Sequence, residues 1–256
     1  MAAVGAVAVL MVVTLIVLTL TLFRPSDDPP TAAPPSVTEP EQREGPEGEY
    51  VPEGEESAEP PPEEVTTVQA PTEECEFFPQ EPTDQQSGST RTSGDLTFTV
   101  AEGWGSGLNW QDSLPYATEV ASAERQVDEG YFALVQVGQV EWPEEQGGYP
   151  GAETAAAAYV QCHLTRAEGV EVYGEDPLMT EYVSEATEVD GHQAWIVRGV
   201  VELQNPGTIT EYSSVEIIGL VVETPSGPAV FKASAPADIP ERKADIQAML
   251  DSLTVA

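Results

Sequence analysis

The chain has 256 residues and a formal net charge of −36, because 45 acidic residues stand against 9 basic ones. Nucleic acids and anionic lipid surfaces repel such a polyanion, so the composition disfavours both as binding partners. The 23 prolines are unevenly distributed, and 14 of them lie between residues 24 and 94. The chain is therefore expected to combine segments of different physical character.

Residues 2–23, AAVGAVAVLMVVTLIVLTLTLF, contain neither a charge nor a proline. As a helix this segment would be about 33 Å long, enough to cross the ~30 Å hydrocarbon core of a bilayer. It exceeds the roughly 7 to 15 apolar residues of a cleavable signal peptide and has no small-x-small site after it. The sequence therefore predicts an uncleaved transmembrane signal anchor over residues 1–23.

The orientation of this anchor rests on opposing signals. Arg24 follows the apolar run directly, and the positive-inside rule would place that end in the cytoplasm. Long acidic segments, however, cross the membrane largely regardless of charge. Together with the cysteine pair described below, the second signal favours a C-terminal domain outside the cytoplasm.

Residues 24–94 form the predicted linker, with 18 acidic residues against 3 basic ones. Proline fixes φ and removes a hydrogen-bond donor, and the like charges repel one another. The segment is predicted to be a disordered, extended spacer. Two alternatives are a polyproline ligand for a proline-binding partner and an acidic cation site, but a calcium site needs oxygens fixed by ordered loops.

The predicted folded domain covers residues 95–256. The segment 96–100, LTFTV, alternates apolar and polar residues as a half-buried strand does. Further strands are predicted at 116–124 and 131–142. The alanine-rich segment 153–166 is predicted to be a helix, since it follows a Pro-Gly pair and begins with glutamate.

Two hairpins and a final helix complete the predicted domain. Strands 179–189 and 192–203 flank Asp190-Gly191, a strong signal for a two-residue turn. Strands 211–224 and 228–236 are joined across Pro-Ser-Gly. Asp238 is the expected N-cap of a helix that has Pro240 in its first turn, Glu241 as a capping-box residue and a helical apolar stripe. The predicted fold class is α+β, with a single antiparallel sheet flanked by helices.

The order of these elements resembles the PsbP/Mog1-like fold. The resemblance rests on FTVAEGW, the alanine-rich helix, the Asp190-Gly191 hairpin before an Ala-Trp strand, and the terminal IQAMLDSLTV segment. It covers roughly residues 94–255. It implies an α/β/α sandwich of the type found in actinobacterial membrane-anchored envelope proteins and lipoproteins, usually a binding or assembly module. It supplies no catalytic signature, and a fold alone does not define a function.

The two cysteines lie in different predicted segments. Cys75 belongs to the linker, and Cys162 lies on the predicted helix 153–166. At 100° per residue, Ala157, Val160 and Leu164 share one helix face, whereas Cys162 points away from it. A segment crossing the outer side of the helix would bring Cys75 to Cys162. In an oxidising compartment the pair is expected to form a disulfide, and the alternative is two free thiols.

The sequence contains no recognised catalytic, metal-binding or phosphate-binding motif. His163 and His192 lack a third fixed ligand and are interpreted as ordinary surface or hairpin residues. Acidic pairs such as Glu144-Glu145 are too common here to indicate acid–base chemistry. The glycine-rich segment 103–107 lacks the basic residue of a phosphate cradle. We therefore predict no catalytic residue, no metal and no cofactor, and the scarcity of basic residues disfavours nucleic acid and phosphosugars.

Four aromatic residues in or beside predicted loops are candidate ligand-binding residues: Trp104, Trp110, Trp142 and Tyr149. Exposed rings there would stack on a sugar or anchor a peptide. The alternative is that Trp104 and Trp142 cap the ends of the core. Trp195 lies within an apolar strand and is predicted to be a core residue.

Taken together, the sequence predicts a non-catalytic binding or accessory module of the cell envelope, anchored in the cell membrane by a single span. Its partner would be an envelope protein or a cell-wall component, and nucleic acid is not expected. The alternatives are an envelope hydrolase with a site built from scattered acidic residues, and an acidic structural spacer.

Overall fold

A long antiparallel sheet lies at the centre of the structure, a computed structural model that describes residues 65–71, 73–80 and 88–256. Within these ranges no helix is long and apolar enough to cross a bilayer. The predicted anchor and the first part of the predicted linker lie outside the described residues. The strands are β1 Thr66–Thr67, β2 Thr90–Ser93, β3 Leu96–Thr99, β4 Gly105–Ser106, β5 Ala117–Asp128, β6 Tyr131–Val140, β7 Leu178–Val189, β8 His192–Glu202, β9 Ser214–Thr224, β10 Gly227–Pro236 and β11 Thr254–Val255. The helices are α1 Ala152–Thr165, α2 Ala167–Tyr173 and α3 Pro240–Asp251, with 3₁₀ helices at Leu108–Ser113 and Glu144–Gln146.

Eight strands form the large sheet in the order β1-β7-β8-β9-β10-β6-β5-β4, and each neighbouring pair is antiparallel. The turn at Asp190-Gly191 has positive φ at both residues, 50° and 81°, as a tight hairpin turn with the right twist requires. The predicted α+β class and the predicted hairpins are therefore confirmed. The predicted single sheet is wrong, because β2, β3 and β11 form a second, three-stranded sheet.

The two faces of the large sheet carry separate apolar clusters. On β10, Val230 packs in the cluster that contains α1, whereas its neighbour Phe231 packs in the cluster that contains α3. This alternation follows from the two-residue side-chain period of a strand. Helix α1 lies against β8 and β9, and Gly219 permits this close approach. A Cβ atom there would come within 2.6 Å of the Ala156 carbonyl oxygen.

Helix α3 and the three-stranded sheet belong to the cluster on the opposite face. Ile246 and Met249 of α3 are fully buried there, as the predicted stripe requires. The helix begins at Pro240 without a side-chain cap, so the predicted capping role of Asp238 is wrong. Its Oδ2 atom instead accepts hydrogen bonds from the backbone N–H and the hydroxyl of Ser213, at 2.7 and 2.8 Å.

The folded unit begins well before Asp95, which differs from the predicted boundary. Strand β1 adds to the edge of β7, and β2 pairs with β3. Arg91 of β2 is buried and donates to the backbone carbonyl oxygens of Ser122 and Gly105. Composition could not reveal this boundary, because these segments are held by partners distant in sequence rather than by an apolar pattern of their own.

Candidate functional site

A disulfide joins Cys75 to Cys162, with 6.0 Å between their Cα atoms and a sequence separation of 87. The pairing expected from the sequence is therefore present. The segment around Cys75 is also bonded to the domain, because Tyr116 donates through its backbone N–H to the Glu76 carbonyl and through its hydroxyl to the Glu74 carbonyl. Residues 73–80 thus lie along the domain rather than in a free linker.

Cys162 is fully buried, although it points away from the apolar stripe predicted for α1. Of that stripe, Val160 and Leu164 are buried, whereas Ala157 is partly exposed. The helix is therefore covered on more than one side. The segment around Cys75 packs against the side of α1 that carries Cys162, and helical periodicity alone cannot predict this contact.

The four candidate aromatic residues do not form one surface. Trp104 is buried in the α3-side cluster, and its Nε1 donates to Asp245 Oδ2 at 2.9 Å. Trp142 stacks on Tyr116 with ring centroids 3.8 Å apart. Tyr149 donates from its hydroxyl to Glu223 at 2.7 Å. These three are occupied by structural contacts, and the interpretation of Trp104 and Trp142 as residues that cap the core accounts for their positions better.

The prediction that Trp195 is a core residue is only partly right. Its ring is partly buried against the α1-side cluster, and its Nε1 donates to the Ser184 hydroxyl at 3.0 Å. The side chain therefore forms part of an open surface beside α1. Strand alternation places it on the correct face, but α1 does not extend far enough to cover it.

Trp110 also makes a structural contact, because its Nε1 donates to Glu124 Oε2 at 2.5 Å, but it lines a cleft as well. The cleft has a volume of about 300 Å³ and lies beside the C-terminal end of α1, on the α1 face of the large sheet. This volume is near the lower limit of the ~300–1,000 Å³ typical of ligand sites. The residues around it are Trp110, Gly130, Tyr131, Phe132, Leu134, His163, Arg166, Glu168, Gly169, Val172, Tyr173, Leu203, Ile209, Tyr212 and Ser234.

His163, which lines this cleft, is in contact with a second basic side chain, Lys232. The Lys232 Nζ lies 2.9 Å from His163 Nδ1, and Lys232 is only 3% exposed. A lysine can only donate, so Nδ1 is assigned as the acceptor and Nε2 as the protonated nitrogen. That nitrogen faces the Tyr173 hydroxyl at 3.4 Å.

Burial changes the acid–base properties of these groups. Desolvation lowers the pKa of Lys232 well below its usual value, and the charge of Arg166 adds to this effect. Desolvation also lowers the pKa of His163, followed by the charges of Lys232 and Arg166. Burial raises the pKa of Tyr212, on the outer wall, to about 12. Desolvation is the largest cause of each shift, so this region disfavours an uncompensated charge of either sign, and the positive charges of Arg166 and Lys232 make a further cation less favourable still.

The positions of these residues follow from the strand and helix geometry. Lys232 pairs across the sheet with Gln136 of β6 and Gly219 of β9, in the interior of the sheet. Ser234, two residues later on the same strand, projects to the same face and also lines the cleft. His163 comes from the last turn of α1, where the helix passes over β10.

The interpretation of His163 as an ordinary surface residue is wrong, because it contacts buried Lys232. The sequence contains one signal for this site, which is the position of Lys232. Lys232 is a single charge inside the apolar strand AVFKASA, and a charge in a strand buried on both faces needs a partner. The identity of that partner could not be deduced, because His163 lies 69 residues away in sequence.

The other sequence features have structural positions. Glu144 and Glu145 are exposed on a 3₁₀ helix, and residues 103–107 contribute the edge strand β4. His192 begins β8. Among the residues that the structure describes, no group of three or more His, Cys, Asp or Glu side chains is arranged to hold a metal ion.

Comparison with known proteins gives no further assignment: no protein family matches this chain, and no curated protein shows significant sequence similarity to it. The functional argument therefore rests on the chain's own residues.

Proposed function

We propose that this protein is a membrane-anchored, extracytoplasmic binding or accessory module of the cell envelope, without chemistry of its own. The observation that carries the proposal is the Cys75–Cys162 disulfide. Disulfides persist in oxidising compartments and are rare in reducing ones. The apolar segment 2–23 in the sequence supplies the proposed membrane anchor.

The proposed fold family is the PsbP/Mog1-like α/β/α sandwich. Its support is the arrangement of α1 and α3 in clusters on opposite faces of one antiparallel sheet. The proposal of a binding role, rather than a purely structural spacer, is supported by the cleft beside α1. A spacer needs only a solvated surface, whereas this cleft combines aromatic and apolar residues with His163 and Arg166.

The redox state of the cysteines in cells tests the proposed compartment. Cells producing the full chain are quenched in acid, and free thiols are alkylated with and without prior reduction. We expect no alkylated cysteine before reduction and two after it, measured by intact mass. Two alkylated cysteines without reductant would contradict an extracytoplasmic domain.

Photo-crosslinking in native membranes tests the binding role. A photoreactive residue replaces Phe132, which is 38% exposed at the cleft, or Tyr182, which is 39% exposed on β7 and serves as the matched control. We expect an envelope component to be captured from position 132 and not from position 182. Equal capture at both positions, or none at either, would count against a specific binding surface.

A further inference from the structure

The basic side chains of the domain differ in whether an oxygen partner satisfies them. Seven lysine and arginine residues lie in the described ranges. Arg91 and Arg125 donate to backbone carbonyls, whereas Arg198, Arg242 and Lys243 form ion pairs with carboxylates. The remaining two differ: Arg166, which lines the cleft, has only the more distant carboxylate of Glu168, and Lys232 contacts His163, which also lines the cleft.

Arg166 has a weak counter-charge. Its Nε atom is buried and makes no hydrogen bond within the described part of the chain. The closest carboxylate oxygen, from Glu168, is 3.9 Å away, and the Glu168 side chain is 77% exposed. Solvent screens such a pair, so it neutralises the guanidinium poorly.

Lys232 has His163 rather than an anion as its hydrogen-bond partner. Lys232 is buried and contacts His163, which lines the cleft together with the partly exposed Arg166, so the three side chains form a basic cluster at the cleft. Desolvation and mutual repulsion lower the pKa values of Lys232 and His163. A bound anion would relieve this repulsion, since an opposite charge within about 4–6 Å favours the charged form of a base.

The opposite walls of the cleft are apolar and aromatic. Trp110 and Phe132 pack with their ring centroids 5.9 Å apart, and Tyr131, Tyr212 and Ile209 also line the cleft. Such rings contact the body of a ligand through large apolar area, whereas a few polar groups fix its orientation. The cleft therefore has one basic end and one apolar end.

We propose that this cleft binds a small molecule with an apolar body and one terminal carboxylate, whose carboxylate lies between Arg166 and His163 and whose body lies against Trp110 and Phe132. The inference rests on the proposed binding function and names its ligand class. The planar guanidinium of Arg166 matches the two oxygens of a carboxylate.

A single negative charge is favoured over a phosphate or a dicarboxylate. The domain is strongly anionic, and Glu168 stands beside Arg166 at the exposed side of the cleft. Each further negative charge on a ligand would meet this repulsion, while the basic cluster compensates best for one charge. Cationic amphipaths are disfavoured by Arg166 and Lys232 directly.

Three probes that share an aromatic body test the charge preference: phenylbutyrate, its primary amide and phenylbutylamine. Binding to the purified full chain is measured by isothermal titration calorimetry and by ligand-detected NMR. We expect one phenylbutyrate to bind per chain, with the amide at least about tenfold weaker and the amine not detectable at millimolar concentration. Equal binding of the acid and the amide would overturn the proposal.

Matched variants locate the site. Arg166→Gln is expected to weaken phenylbutyrate about tenfold or more, and Phe132→Ala is expected to weaken the acid and the amide by a similar factor. Arg125→Gln is the control, because Arg125 donates to the Glu102 carbonyl outside the cleft. Equal weakening by Arg166→Gln and Arg125→Gln would mean non-specific attraction and would overturn the site. Binding of a peptide C-terminus in place of phenylbutyrate would also overturn the proposed ligand class.

Failure of this inference is distinguishable from failure of the proposed function. If the cysteines are oxidised in cells and an envelope component is captured, but phenylbutyrate does not bind, only the ligand class is wrong. If phenylbutyrate binds as expected but the cysteines are reduced in cells, the ligand class stands and the extracytoplasmic assignment falls.

Discussion

The two faces of the large sheet each bury a charged side chain, Glu216 on the α3 face and Lys232 on the α1 face, and they treat it differently. On the α3 face, Arg198 forms an ion pair with Glu216, whose side chain is 3% exposed, and also donates to Gln247 of α3. On the α1 face, Lys232 contacts His163, with Arg166 close enough to lower the pKa of both. A buried charge is tolerated when it is paired, so the α3 face is electrostatically complete. On the α1 face the partner of Lys232 is an imidazole instead, and the carboxylate of the proposed ligand would supply a negative charge there.

The largest expected effect on stability comes from breaking the ion pair between Arg198 and Glu216. Arg198→Met leaves the buried Glu216 carboxylate without its partner, so we expect the free energy of unfolding to fall by about 3–5 kcal/mol. Urea unfolding followed by circular dichroism measures it. Arg125→Met is the control and is expected to change stability by less than about 0.5 kcal/mol. Similar losses for the two variants would show that the α3-side pair has no special role.

Removal of the disulfide is expected to loosen one face selectively. The double variant Cys75→Ala with Cys162→Ala loses a cross-link between residues 87 apart, and we expect a loss of about 2–4 kcal/mol. Hydrogen exchange should show lost protection in residues 65–80 and α1, while α3 stays protected. Equal loss of protection in α1 and α3 would contradict the independence of the two faces.

Acidification is expected to destabilise the α1 face through His163. Its pKa is lowered in the folded protein, so below the unfolded value of about 6.5 the unfolded chain binds more protons and stability falls as the pH falls. The slope approaches about 1.4 kcal/mol per pH unit for one proton. The scan runs from pH 7.5 to about pH 5, because Asp95 and Asp128, whose pKa values are also lowered, add their own losses only nearer pH 3.8.

Two variants assign this slope. His163→Gln is expected to flatten the dependence of unfolding free energy on pH, whereas His192→Gln leaves it as in the parent chain. A slope unaffected by His163→Gln would assign the effect to other groups and contradict the buried position of this imidazole.

The smallest expected effect is a gain, rather than a loss, in the free energy of unfolding. Lys232→Met replaces an uncompensated buried amine by an apolar side chain of similar length, so we expect a gain of about 1 kcal/mol at neutral pH. The gain should shrink as the pH rises toward 10.5. Because the pKa of Lys232 is lowered in the folded protein, the lysine destabilises the fold only below the pH at which its amine in the unfolded chain loses its proton. Lys243→Met, at an exposed ion pair with Glu181, is the control with little change. A clear loss of stability in Lys232→Met would mean that the lysine is already compensated.

The sequence predicted features that depend on neighbouring residues. The hairpin at Asp190-Gly191, the strand before residue 100 and the buried stripe of α3 all follow from local turn chemistry or side-chain periodicity. The Cys75–Cys162 pair was also predictable, because only two cysteines are present and only one disulfide can form between them.

Tertiary structure decided the features that join distant residues. The folded domain starts before the predicted boundary at Asp95, because β1 pairs with β7 and the Tyr116 hydroxyl donates to the Glu74 carbonyl beside Cys75. Three of the four candidate aromatics proved to be structural, since whether a loop ring is covered depends on chain segments remote in sequence. The meeting of Lys232 with His163, across 69 residues, is a property of how α1 crosses β10. Periodicity shows which face a side chain takes, but only the packed fold determines what meets it there.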